Sequence, residues 1–167
     1  MNFKCYDVVE IQGKRYVVIE VISYQEFIIE KTVNYTLNDE MYNNELGTHK
    51  GAKNWTEYGI MPVDTKDKNK KWLTIVNGEK DYCTFSETIL RSTPPKGYKL
   101  YDKGLQRVMS VEGESKARSG DKADYKEYRS IKKDKTYVFF MEDWHGGLKD
   151  QAQGERIRLS DVHRRRD

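Results

Sequence analysis

Short runs of alternating apolar and polar residues recur along most of the chain, with charged or glycine-containing segments between them. Alternation with a period of two places the apolar side chains on one face of a β-strand. The run over residues 15–24 is apolar at nearly every position, which is typical of a central strand with both faces covered. No segment has the period of an amphipathic helix or a heptad repeat, so the pattern predicts an all-β protein.

The predicted strands are residues 8–11, 15–24, 27–35, 55–63, 72–76, 80–85, 98–102, 105–112, 125–129, 136–144 and 155–159. Asn77-Gly78 is the strongest hairpin signal in the chain. Residues 36–54 are polar and contain glycine, and we interpret them as a long loop that is either functional or a tolerated insertion. Many short strands between turns predict a small barrel or sandwich of antiparallel meanders with little helix.

The chain has 167 residues, which fits one domain. We therefore predict a single β domain over residues 1–160 and a basic tail over residues 161–167. The punctuation at Pro94-Pro95 divides the domain into two halves, residues 1–92 and residues 97–160.

The two halves share a weak sequence echo. Trp55-Thr56-Glu57-Tyr58 and Tyr125-Lys126-Glu127-Tyr128 each precede a charged loop and then an apolar strand. Two related meanders packed into one core would explain this echo. Chance would explain it equally well, because alternating strands resemble one another in any case.

Composition narrows the class of protein. Hydrophobic residues make up 37% and charged residues 34%, which predicts a thin core, and the net charge of +3 is mild for a nucleic-acid-binding protein. The N-terminus has no signal-peptide pattern and no apolar run is long enough to span a membrane, so we expect a cytoplasmic protein without direct membrane insertion. Cys5 and Cys83 are expected to be reduced thiols, since two cysteines make neither a disulfide framework nor a zinc site.

The sequence has no recognisable catalytic motif. It lacks a glycine-rich phosphate loop and a Gly-x-Ser-x-Gly nucleophile turn. The three histidines, His49, His145 and His163, are far apart. Asp143 and His145 share one face of a strand, but a metal site needs three or four ligands. We therefore predict a protein that is not an enzyme and has no cofactor or metal.

Two glutamates form a second, weaker candidate for a catalytic pair. Glu112 and Glu114 share a face across Gly113, and two carboxylates act as acid and base only within a shaped pocket. A solvated strand surface is the plainer interpretation of this pair.

Binding is the function that the sequence favours. Our main hypothesis is a cytosolic binding or scaffolding module that acts through an unknown protein partner, using tryptophans and edge strands. The alternative is single-stranded nucleic-acid binding by residues 116–135, where basic residues alternate with tyrosines that bases can stack on. The candidate interaction surface comprises Trp55, Tyr58, Trp72, Tyr125, Tyr128, Trp144, Lys126 and Arg129.

Several short motifs carry a family resemblance. They are Trp55-x-Glu57-Tyr58, Trp72-Leu73, Gly113-Glu114, Gly120-Asp121 and a late Glu142-Asp143-Trp144 before a glycine-rich turn. Their order resembles the bacterial family called domain of unknown function 4178, over residue 12 to the C-terminus. Residues 36–53 depart from it, because this segment is longer than in that family. The resemblance implies a bacterial or phage-borne cytosolic β protein and assigns no reaction, since the family has no established catalytic residues.

Overall fold

The computed structural model describes residues 2–30, 46–48, 53–63, 66 and 68–165. Its strands are β1 (Val8–Ile11), β2 (Lys14–Glu30), β3 (Leu46–Thr48), β4 (Asn54–Pro62), β5 (Lys71–Val76), β6 (Tyr82–Thr88), β7 (Lys99–Gly113), β8 (Lys122–Lys132), β9 (Lys135–Trp144), β10 (Lys149–Arg158) and β11 (Val162–Arg165). A 3-10 turn, Leu159–Asp161, precedes β11. Among these residues, no helix has the length and apolar character needed to cross a membrane.

Eight of the strands close into an antiparallel barrel. The order around the barrel is β2-β4-β5-β6-β10-β9-β8-β7, and the pairing of β7 with β2 completes the ring. Strands β2, β4, β5 and β6 form one meander, and β7 to β10 form the other. The predicted all-β barrel of antiparallel meanders is therefore confirmed.

Strands β1 and β11 lie outside this ring and form a flap over its wall. β1 pairs with the first residues of β2, and β11 pairs with β1. The main apolar cluster lies between this flap and the outward faces of β4, β5, β6 and β10. It comprises Phe3, Val9, Ile11, Tyr16, Val18, Tyr58, Ile60, Leu73, Ile75, Cys83, Ile157 and Val162. Most of the apolar burial that stabilises the fold is thus outside the barrel.

The interior of the barrel contains a second cluster, which is rich in aromatic rings. Its buried members are Ile22, Tyr24, Trp55, Val108 and Tyr125. The Trp55 and Tyr125 rings lie 5.7 Å apart, and the Tyr24 and Trp144 rings lie 6.5 Å apart. These pairs join strands that are not neighbours in the sheet, so the rings meet across the barrel. An eight-stranded barrel is just wide enough for side chains or one small ligand.

The strands are longer than the sequence pattern predicts. β2 runs without a break through residues 25 and 26, and β7 runs through Gly104, which joins the strands predicted over residues 98–102 and 105–112. Each is held by two partner strands, so pairing carries it across positions with weak strand propensity. The register of β7 shifts between Leu100 and Asp102 against β8, and between Val108 and Ser110 against β2.

The C-terminal segment also differs from the prediction. Residues 161–167 were expected to form a basic tail, but Val162–Arg165 is β11, because Val162 is buried in the main apolar cluster while its basic neighbours face solvent. Charged side chains of this kind also protect an edge strand from pairing with other chains. The loop predicted over residues 36–54 lies mostly outside the described residues, as does His49.

Candidate functional site

Charged and amide side chains line the interior of the barrel beside the aromatic rings. In β4, Trp55, Glu57 and Gly59 point inward, while the alternate residues Tyr58 and Ile60 face the flap. The same alternation in the other strands brings further polar side chains inside. They are Glu20 and Glu26 from β2, Gln106 from β7, Glu127 and Arg129 from β8, Glu142 from β9 and Asp150 from β10. An interior of this composition is not an apolar core.

Two lysines lie in cages that combine carboxylates with aromatic rings. The first is Lys70, whose ammonium pairs with Glu20, a carboxylate only 1% exposed. The same ammonium lies 4.2 Å from the centroid of the Trp72 ring. Gly59 is required beside Glu20, because a Cβ atom there would collide with the Glu20 side chain. This cage thus satisfies a buried charge with an ion pair and a cation–π contact.

The second cage surrounds Lys53. Its ammonium pairs with Asp102 and lies 3.9 Å from Glu26. It also lies 5.9 Å from the Trp55 ring centroid and 5.8 Å from that of Tyr125. The Tyr125 hydroxyl donates to Glu26 and lies 3.2 Å from an Asp102 carboxylate oxygen, so both carboxylates are held around the lysine. Carboxylates and rings of this barrel therefore already bind ammonium groups twice, at lysine side chains that are 37% and 35% exposed.

Glu57 and Glu142 lie in the middle of the barrel on opposite walls, because β4 and β9 are four strands apart around the ring. Burial raises the pKa of Glu57 well above its usual range, and the carboxylates of Glu142 and Glu20 raise it further, whereas Lys70 lowers it. Burial also raises the pKa of Glu142 to about 7, against a hydrogen bond from Gln106 that lowers it. The Glu142 carboxylate thus disfavours ionisation of Glu57, and Asp150 raises the pKa of Glu142.

Neither central carboxylate has a cationic partner among the described residues. Lys70 is paired with Glu20, and Lys53 is paired with Asp102. The nearest acid to Glu142 along the wall is Asp150, which accepts a hydrogen bond of 3.1 Å from the Trp144 indole. The centre of the barrel therefore holds an excess of negative charge.

The Tyr24 hydroxyl is the second feature of this centre. The side chain is 3% exposed, and its ring stacks on Trp55 at 5.5 Å. Burial raises the pKa of Tyr24, and the charges of Glu57 and Glu142 raise it further. In the β2–β4 ladder Tyr24 pairs with Trp55, and Glu57 is the next inward-facing residue of β4. Within the described part of the chain, no hydrogen-bond partner is found for this hydroxyl or for the Glu57 carboxylate.

Both groups border open space within the barrel. Every fully enclosed side-chain oxygen or nitrogen in the described ranges has a hydrogen-bond partner. Because the Tyr24 hydroxyl and the Glu57 carboxylate lack one, they reach space that solvent can enter. Glu57, Trp72, Thr74 and Glu142 each keep part of their surface accessible although they point inward. A small molecule that entered this space would meet two carboxylates, one hydroxyl and several ring faces.

The arrangement does not favour a metal ion. Among the described residues, no group of three histidine, cysteine or acidic side chains is close enough to bind one. The two central carboxylates face each other from opposite walls, whereas a metal needs several ligands about 2 Å from one point.

The structure separates the eight residues of the candidate interaction surface. Trp55, Trp72, Tyr125 and Trp144 lie in or beside the interior cluster. Tyr58 is buried under the flap, where Phe3 packs edge-on against its ring. Arg129 pairs with Glu127 and stacks on Tyr101, while Tyr128 packs against Phe139 on the outer face. Lys126 is exposed, so these residues do not form one outer surface.

The weaker candidates are also far from the interior. Asp143 and His145 are exposed, and His145 contacts Asp124 at 3.2 Å. Glu112 and Glu114 are exposed beside Gly113. His163 lies on β11 at the edge of the sheet. Cys5 and Cys83 are free thiols, and burial raises the pKa of Cys83 to about 12, so this thiol stays protonated and unreactive at neutral pH.

The sequence contained a usable signal for the interior residues that were missed. Glu20 and Glu57 each occupy a position in an alternating run where the pattern places an inward-facing side chain. Glu142 follows the apolar run of β9 in the same way. A glutamate on the covered face of a strand needs a partner or a function, because burial of an isolated charge is costly. Closure of the barrel, which brings these strands opposite each other, is not visible in the sequence.

Comparison with known proteins adds no assignment. No protein-family model matches the chain, and no curated protein or solved structure is significantly similar to it. The resemblance to domain of unknown function 4178 stays a prediction. The function is therefore argued from the side chains of the barrel itself.

Proposed function

We propose that the protein is a non-catalytic binding module that holds a small polar molecule inside its barrel. The observation that carries this proposal is the unpartnered pair formed by the Tyr24 hydroxyl and the Glu57 carboxylate within a buried interior. Because both groups reach space that solvent can enter, they can hydrogen-bond to a molecule that takes the place of that solvent.

The placement of the apolar core supports the same proposal. The cluster between the flap and the barrel wall stabilises the fold from outside, so the interior is free to carry polar side chains. Ligand sites commonly combine ring faces with a few polar groups that fix orientation. Tyr24, Trp55 and Trp144 supply the ring faces here, and Glu57 and Glu142 supply the polar groups.

The tryptophans provide a direct test. The chain has 3 tryptophans, and all of them belong to or pack against the interior cluster. Their indole N–H signals in a two-dimensional NMR spectrum therefore report on the interior, and that of Trp55 reports also on the open cleft of about 500 Å³ that it lines. We expect that at least one set among neutral, anionic and cationic fragments shifts these signals in a saturable way. The proposal is wrong if no set of fragments shifts an indole signal at concentrations of roughly 10 mM, because a dissociation constant above this value is too weak for a useful site.

A matched pair of variants checks the location. Thr74 faces Glu57 across the β4–β5 ladder, so Thr74→Phe should fill the space and abolish the indole shifts. Leu100 is exposed on the outer face, opposite Tyr128 in the β7–β8 ladder. Leu100→Phe should leave the shifts unchanged. Equal effects of both substitutions would show that binding does not occur inside the barrel.

A second candidate function is nucleic-acid binding on the outer face of β7 and β8. Two basic pairs lie directly opposite each other in this ladder, Lys103 with Lys126 and Arg107 with Lys122. Adjacent like charges favour a phosphate backbone. This hypothesis loses one of the rings on which bases would stack, because Tyr125 points into the barrel. Protein binding should raise the fluorescence anisotropy of a labelled oligothymidylate, and changing Lys103 and Lys126 to Glu should reduce that rise. Binding that does not depend on salt concentration would contradict this candidate.

The protein partner expected from the sequence also stays a proposal. Its tryptophan anchors lie inside the barrel or beside it, which makes them unsuitable for contact with a second chain. Capture of a stoichiometric partner that survives nuclease treatment would support it. Such a partner would have to use other residues than the tryptophans, because rings inside a closed barrel cannot reach a protein surface.

A further inference from the structure

We infer that the molecule held in the barrel carries a primary ammonium group, bound between Glu57 and Glu142 with the Tyr24 hydroxyl as a third acceptor. This inference rests on the proposed function and names the class of its ligand. It combines three independent observations: the central carboxylates without a cation, the buried Tyr24 hydroxyl without a partner, and the two lysine cages in the same interior.

The lysine cages show which chemistry this interior stabilises. Both Lys53 and Lys70 place an ammonium against a carboxylate and over an aromatic ring. The centre offers the same elements, with Glu57 and Glu142 as carboxylates and Tyr24 and Trp144 as rings. What it lacks, among the described residues, is the cation. The centre is therefore a third cage of the same kind that the chain itself does not fill.

The number of hydrogen bonds selects a primary amine. A primary ammonium donates three hydrogen bonds and accepts none. The centre presents three acceptors on three strands: Glu57 on β4, Glu142 on β9 and the Tyr24 oxygen on β2. A quaternary ammonium could use the rings but would leave all three acceptors without donors. A neutral alcohol could satisfy them only in part and would leave the charge unbalanced.

The charge of the site fits a positive group. Burial raises the pKa of both Glu57 and Glu142, and the carboxylate of Glu142 raises the pKa of Glu57 further. A cation held between them would stabilise the charged forms of both side chains. Asp150 is already engaged by the Trp144 indole, and Gln106 engages Glu142 from the side.

Four probes of the same length separate these possibilities. They are butylammonium, butyltrimethylammonium, butanol and butyrate, each titrated against the tryptophan indole signals of the full chain. We expect butylammonium to bind with a Kd on the order of 1 mM, as suits so small a ligand. The other three should bind at least tenfold more weakly, because each lacks either the charge or the hydrogen bonds.

Conservative variants test the assigned acceptors. Glu57→Gln and Glu142→Gln should each weaken butylammonium roughly tenfold or more, and Tyr24→Phe roughly threefold, which are the effects of losing a charged and a neutral hydrogen bond. Glu112→Gln is the matched control, because Glu112 is exposed away from the interior. It should leave the affinity unchanged. These substitutions keep the size of each side chain, so folding can be checked by the unchanged spectrum.

The outcomes distinguish the two levels of the argument. If butanol, butyrate or the quaternary ion shifts the indole signals as strongly as butylammonium, the ammonium inference is overturned while the barrel remains a binding site. If butylammonium binds equally to Glu57→Gln, Glu142→Gln and Glu112→Gln, the assigned site is wrong. If none of the probes and none of the fragment sets binds inside, both proposals fail together.

Discussion

Neutralising Glu142 should make the protein more stable at neutral and alkaline pH. Glu142 is enclosed by the barrel, where the carboxylates of Glu57 and Asp150 face it and Gln106 donates a hydrogen bond to it. Glu142→Gln keeps the shape of the side chain and retains an oxygen that can accept from Gln106. It removes only the charge and its repulsion with the opposite wall.

The sign and size follow from the pKa. In the unfolded chain a glutamate titrates at its ordinary value of 4.5, and in the folded chain Glu142 titrates at about 7. Between these pH values the folded state binds more protons than the unfolded state. The contribution of protonated Glu142 to the free energy of unfolding is therefore fully present below pH 4.5 and is lost as the pH rises through 7. The difference corresponds to roughly 3 kcal/mol, at 1.36 kcal/mol for each unit of pKa. The raised pKa of Glu57 acts in the same direction.

Urea denaturation at pH 5 and at pH 8 measures this effect. The native protein should lose several kcal/mol between the two values, whereas Glu142→Gln should lose less and should exceed the native protein by roughly 2–3 kcal/mol at pH 8. Because Lys70 and Glu20 also contribute charges to the interior, the deciding comparison is between the free energies of unfolding of the native protein and the variant at the same pH. Glu112→Gln, an exposed change, should show no gain. A Glu142→Gln protein that is less stable than the native one at pH 8 would refute the reasoning.

Three further predictions test other parts of the structure. Leu73→Ala should cost roughly 2–5 kcal/mol in urea denaturation, because Leu73 is 0% exposed between flap and barrel, and a cost below 1 kcal/mol would contradict that packing. Gly154→Ala should prevent normal folding, since its Cβ would overlap the Phe85 carbonyl oxygen, and a native-like spectrum would show that β6 and β10 are less close. Lys70→Met should destabilise the protein by roughly 3–5 kcal/mol, because it leaves the Glu20 carboxylate without its cation. Adding Glu20→Gln should restore much of the lost stability. A double variant that is no more stable than Lys70→Met would count against the ion pair.

The fold could be predicted from the sequence to the level of its architecture. Alternation over residues 15–24 and 55–63 and the Asn77-Gly78 turn predicted antiparallel meanders, because these signals are local. The length of β2 and the strand character of Val162–Arg165 could not be predicted in this way. Both depend on pairing with strands distant in sequence, which a local pattern does not contain.

The candidate site was less accessible to sequence analysis. Tyr24, Trp55 and Trp144 are ordinary strand residues until closure of the ring places them against one another. Trp55 and Trp144 were selected as aromatic candidates, but for an outer surface, since alternation alone does not distinguish an interior from an interface. Glu57 was visible only as part of a repeated motif. Its importance depends on Glu142, which lies on the opposite wall and more than half the chain away in sequence.

Intermolecular NOE contacts between butylammonium and the protein test the central claim most directly. Isotope-filtered spectra detect ligand methylene protons within about 5 Å of protein protons, which is the scale of ring packing. We expect contacts with the rings of Tyr24 and Trp144, and their loss in the Thr74→Phe variant, which fills the interior beside Glu57. Contacts confined to outward-facing residues such as Met109 or Tyr101 would contradict the claim that the barrel interior is the binding site.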